Sequence, residues 1–216
     1  VSQGLPPIAG AVIFPVGFVL LALLGLELAT GNFALLPAGF AAGKLKAGGM
    51  LRNWTWVLIG NLAGCLLLAA LVYGASTRLG TSGADPVGEA FKRAAEAKTL
   101  GYKNLGSTGW ALSFLKGVLA NWMVTVGTMM IFVSRSTLGK AAIMWLPIMT
   151  FFALGYEHSI VNMFVIPIGM LFGAEVTITD WWVWNQIPVT LGNILAGALL
   201  TGLPLYYTFA RTPSKG

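Results

Sequence analysis

Charge is the scarcest commodity in this 216-residue chain: Asp, Glu, Lys and Arg together make up 9%, against 56% hydrophobic residues and a mean hydropathy of +0.79. Soluble domains carry about 25% charged residues, so a water-soluble globule is excluded and a membrane protein is expected. Cysteine is down to one, Cys65 in a Leu/Ala-rich run, which rules out a disulfide framework or a cysteine metal site. Histidine is also single, which excludes paired-histidine haem ligation and twin-histidine ammonium channels. No Asn-Pro occurs, so the paired motifs of water and glycerol channels are missing. The N-terminus has no charged n-region or cleavage site, and nothing in it reads as a signal peptide. No nucleophile and base stand together as a hydrolase would need them; Ser159 beside His158 is not such a pair by itself. An enzyme, a cofactor and a metal are therefore not expected.

What is present is long apolar runs. A hydrocarbon core of roughly 30 Å needs about 20 apolar residues per helical crossing, and five stretches meet that, at about 7–36, 53–77, 110–134, 139–173 and 183–208. Alternating-polarity strands are absent, so the expected fold class is all-α. Lys44, Lys46, Arg52, Arg135, Lys140, Arg211 and Lys215 lie in two connections and the tail without any acid, and Glu175 and Asp180 in another without any base. Positive charge collects on the cytoplasmic side, which places the C-terminus there and residue 1 outside. The segment 78–109 mixes both signs and reads as a long outer loop. The net charge of +6 is then mainly topology, and nucleic acid is not an expected partner.

Two stretches echo each other: Gly25-Leu-Glu27 through Asn32-Phe33 resembles Gly155-Tyr-Glu157-His158 through Asn162-Met-Phe164, and Gly60-Asn61 resembles Gly192-Asn193. Glu27 precedes Asn61 by 34 residues and Glu157 precedes Asn193 by 36. The charge pattern makes the copies enter from opposite sides, an inverted pair whose site lies at their interface near the midplane, built from interrupted helices. Breaks are expected near 27–33 and 156–162. One domain spans 1–216: a first repeat over about 7–77, the 78–109 loop, and a second repeat over about 110–208. The second copy opens with a whole helix and the first does not, so a sixth, N-terminal helix is expected to be missing from this chain.

Glu27 and Glu157 are acids at membrane depth, where a charge is costly and therefore a functional candidate; holding the shape of a broken helix is the competing role. His158 has Leu28 as its counterpart, so a need shared by both copies does not explain it. Histidine moves most easily between neutral and charged at cellular pH. At a midplane break it offers a proton to a weak-acid anion whose bare desolvation would cost tens of kcal/mol, to order of magnitude. Thr30 at the first break is expected to face it across the passage, and Asn32, Asn61, Asn121, Asn162 and Asn193 read as polar groups at depth, either lining the passage or, as expected for Asn61, bonding between helices. Phe14, Phe18, Leu28, Val124 and Phe151 are candidate apolar constrictions, or simply packing; Lys116 reads as an interface lysine or a vestibule charge.

Five ordered motifs, "FPVGFVLLALLGLELATGN", "NWTWVLIGNLAG", "GVLANWMVTVG", "GYEHSIVNMFVIP" and "IPVTLGNILAG", resemble the formate/nitrite transporter family over about residues 10–210. The resemblance implies an aquaporin-like six-helix protomer in a homopentamer, one pore per subunit, in a plasma (inner) membrane or organellar envelope. It implies passage of small monovalent anions or their acids, with protons and membrane lipid as the other partners. The family's central histidine falls on His158, its neighbouring glutamate on Glu157, its loop threonine on Thr30 and its motif asparagines on Asn121, Asn162 and Asn193. The constrictions fall on Phe14, Phe18, Leu28 and Phe151, and Ala29 where members often carry an aromatic implies a wider inner constriction. A vestibule lysine falls on Lys103 or Lys98; Lys103 is preferred because it needs the smaller insertion. Formate or nitrite is the leading cargo. Bicarbonate or hydrosulfide in the same fold, or a scaffold that transports nothing, are the alternatives.

Overall fold

The computed structural model describes residues 7–210 and contains helices and turns with no strand among them. The tail residues Arg211 and Lys215, used above for orientation, lie outside the described residues. Helices α1 (Pro7–Ile13) and α2 (Val16–Leu24) lead through a break to α3 (Ala29–Ala41), followed by α4 (Ala47–Ser76), α5 (Pro86–Lys103) and α6 (Gly106–Met130). A second interrupted pair, α7 (Thr137–Ala153) and α8 (Ser159–Leu171), precedes the last helix, α9 (Ile178–Phe209). By length and apolarity, α4 and α9 are each long enough to cross a membrane alone, and the run Ala9–Leu24 with Ala29–Ala41 is long enough as a pair bent by 44°. The remaining apolar helices α7 and α8 are shorter.

Both breaks exist, slightly ahead of where the polar residues marked them. In each, glycine ends the first half-helix in the left-handed region, Gly25 at φ 69° and Gly155 at φ 65°, a conformation that costs glycine nothing. The chain then runs extended and restarts as helix after Leu28 (φ −118°, ψ 122°) and His158 (φ −119°, ψ 121°). Thr30, Asn32 and Asn162 thus sit in the first turn after the gap and not inside it. Adding 130 to Gly25, Leu28, Asn32 and Pro37 gives Gly155, His158, Asn162 and Pro167, so the two copies keep one register through the break and into the half-helix.

The stretch 78–109, expected to be a loop, is mostly α5. Asp85 starts it by accepting the Gly88 N–H at 2.8 Å, with Pro86 as the first helical residue. Its apolar face, with Ala95, Thr99 and Tyr102 buried, lies against α8, where Gly169 meets Ala95 and the Phe91 backbone. Mixed charge masked this helical period, although none of its buried residues is charged and Lys98 turns its charge inward to a partner.

The C-terminal helix contains wider, π-type turns at Trp182–Gln186 and Ala196–Gly202. Gly192, Gly197 and Gly202 are five apart, and each is a point of backbone contact, against Phe114, Phe33 and Ala34 respectively. A turn closed five residues along keeps such a series on one face, which a regular α-turn would not.

Candidate pore

At each break an asparagine from a distant helix ties the two halves together. Asn61 accepts the Ala29 N–H at 3.0 Å and donates to the Glu27 carbonyl at 3.2 Å; Asn193 accepts the Ser159 N–H at 2.9 Å and donates to the Glu157 carbonyl at 3.2 Å. These bonds satisfy backbone groups orphaned by the interruption. Each glutamate carboxylate is held by two asparagines. Asn32 and Asn53 donate to Glu27 at 2.8 and 3.0 Å, and Asn162 and Asn185 donate to Glu157 at 2.8 and 3.4 Å. Asn53 and Asn185 are partners that the motif reading missed; they are 132 apart, the same interval as Asn61 and Asn193, and that interval would have found them.

Beyond this frame the breaks differ. Glu157 is 2% exposed and also receives Lys98 Nζ at 2.8 Å and the Tyr102 hydroxyl at 2.8 Å. Burial first, and the Glu157 carboxylate second, push the Tyr102 phenol well above its usual range, so it remains a hydrogen-bond donor. Lys103, the vestibule lysine preferred from the sequence, points elsewhere: it pairs with Asp180 at 2.8 Å and is half exposed. Lys98 and Tyr102 are four apart and share the face of α5 turned to Glu157, a register that Lys103 cannot share. Glu27 has no lysine or tyrosine within bonding reach among the described residues and stands exposed.

His158 joins the copies. Its Nε2 lies 2.9 Å from Thr30 Oγ1, and its Nδ1 faces the Val161 N–H at 3.3 Å, capping α8. Because the Val161 N–H only donates, Nδ1 is the acceptor and the neutral ring carries its hydrogen on Nε2, directed at Thr30. Thr30 and His158 are both fully buried. Phe18 and Phe151 rings flank the imidazole with centroids at 5.4 and 5.7 Å, and Phe14 packs on both phenylalanines at 5.7 and 5.8 Å. Three of the expected constriction residues therefore form one apolar cluster over the histidine. Asn121 lies below, donating to the carbonyls of Thr30 and Asn193 at 3.1 and 2.6 Å.

Two cavities meet this cluster. One, of about 350 Å³, is lined by Phe151, Gly155, Tyr156, His158, Asn162 and Val165, with Lys98 at its wall. The other, of about 360 Å³, is lined by Leu21, Gly25, Leu26, Leu28, Asn32 and Leu35, with Phe18 and Glu27. Each of the six residues in the first is 130 beyond its counterpart in the second. The fourth constriction residue, Leu28, lines the second cavity, whereas Ala29 is fully buried and lines neither.

The sequence model of the formate/nitrite transporters matches residues 1–207. The chain belongs to the formate/nitrite transporter family. A probable formate transporter of Methanothermobacter thermautotrophicus is 34% identical over 215 residues, 96% of this chain and 77% of the relative. Among solved structures, an ion channel of the family superposes with a TM-score of 0.83 at 28% identity, covering 99% of this chain and 80% of that one. A pentameric formate channel with formate bound superposes at 0.77 and 26%, covering 97% and 87%. Family membership and the apolar helices make this an integral membrane protein, and the relatives are channels and transporters rather than enzymes.

Proposed function

We propose that this protein passes small monovalent anions, formate or nitrite foremost, across a membrane, with proton exchange at His158. The observation that carries the reading is the bond from His158 to Thr30, which joins two interrupted helices between two cavities lined from equivalent positions of the repeat. An anion reaching Thr30 meets a hydroxyl whose oxygen already accepts from Nε2, leaving its hydrogen free to donate. For full transfer the imidazole first gains a proton at Nδ1 and releases the Val161 N–H. Nε2 then gives its hydrogen to the anion, which continues as the neutral acid, and loss of the Nδ1 proton with return of one to Nε2 restores the cap. A neutral acid crosses the Phe14, Phe18 and Phe151 cluster without the desolvation cost of a charge. Lys98, Glu157, Asn162 and Asn193 hold the second break in shape, and Asn121 fixes both half-helices against each other.

The same reading takes the copies as inverted, the C-terminus as cytoplasmic, and the assembly as a homopentamer with one pore per subunit.

The test is uptake into liposomes. His158→Asn is expected to abolish pH-dependent formate and nitrite uptake, and an unchanged flux and pH profile would rule out the role given to the imidazole.

A further inference from the structure

Lys116 lies ten residues after Gly106 and fourteen before Met130, in the middle of α6. Its carbonyl oxygen accepts the Glu157 N–H at 3.3 Å, and that of Gly117 accepts from Asn193 at 2.8 Å, so α6 passes the second break at this residue. A snorkelling lysine sits near a span end with its head group in water. This side chain is half-buried, and its Nζ lies 5.7 Å from the centre of the Tyr102 ring.

The charges around it do not balance. Lys98 is paired with Glu157 and Lys103 with Asp180; among the described residues no carboxylate is within ion-pair reach of Lys116. An aromatic face stabilises an ammonium without neutralising it. An ionisable residue at such depth is a functional candidate by default.

We propose that Lys116 is the anion-collecting charge of this side of the passage. Lys98 holds the Glu157 carboxylate and its field is cancelled there, whereas the field of Lys116 reaches the cavity bounded by Lys98, Tyr156 and His158 and raises the local concentration of small monovalent anions. This inference rests on the transport reading above.

Formate uptake into liposomes, measured against concentration at low and high ionic strength, tests it. Lys116→Gln is expected to raise the half-saturating concentration about threefold to tenfold at low ionic strength and far less at high, as screening demands. Lys116→Arg keeps the wild-type value. In a Cys65→Ser background, Lys116→Cys labelled with a cationic thiol reagent regains affinity, and the same preparation labelled with an anionic one loses more. That comparison is made within one folded sample and does not depend on how well the Gln variant assembles. Equal half-saturation for wild type and Lys116→Gln, or the same effect from both reagents, overturns the inference while leaving the transport reading intact. A wild type that moves no anion overturns both.

Discussion

The break at 25–28 and the break at 154–158 share a backbone and differ in what surrounds it. Each has a left-handed glycine, an extended residue before the new helix, an asparagine tie and a carboxylate clasped by two amides. Only the second adds an ammonium, a phenol and an imidazole. The shared set is what an interrupted helix requires of its chemistry, since orphaned amides and carbonyls at membrane depth must find partners. The additions are what that requirement does not explain, and function is to be sought there.

Substitutions in pairs sharpen this contrast. Removing the carboxylates separates the breaks most: Glu157→Ala strands Lys98 and is expected to cost about 3 kcal/mol or more, whereas Glu27→Ala, at an exposed site, costs about 1 kcal/mol; thermal unfolding in detergent compares them. Next come the glycines. A methyl at Gly192 would run into the Phe114 carbonyl and the backbone of α6, while one at Gly60 meets nothing within 4 Å among the described residues. Gly192→Ala is expected to destabilise by about 1–3 kcal/mol, and Gly60→Ala to be neutral or stabilising by roughly 0.5 kcal/mol. Asn193→Ala loses bonds to Ser159, Gly117 and Glu157 and is expected to cost about 2 kcal/mol, against about 1 kcal/mol for Asn61→Ala, read by the same melts. Smallest is the lysine pair. Lys103→Gln removes a half-exposed ion pair and costs between 0 and about 1 kcal/mol, and a larger loss than Lys98→Gln would reverse the assignment made between them.

Much of this frame was legible in the chain because two copies of one requirement leave two copies of one spelling. Glu27 and Glu157 or Asn61 and Asn193 can be matched by eye, and among the positions that differ, Leu28 against His158 marks the residue that ties the copies together. The limits of the breaks were less legible, since polarity marks the restarted helix while glycine conformation marks the gap. Tyr102 and the choice of Lys98 depended on recognising α5 as a helix. Once its period is known, residues four apart fall on one face and Lys103 turns away. Asn53 and Asn185 lacked matching neighbours, so only their interval betrays them.

The asparagine ties have a mechanical corollary. Asn61 and Asn193 each grip both banks of a gap, so neither half-helix is free to slide or swing without tearing two bonds at once. Moving the two halves of either interrupted helix apart therefore carries the cost of both bonds together.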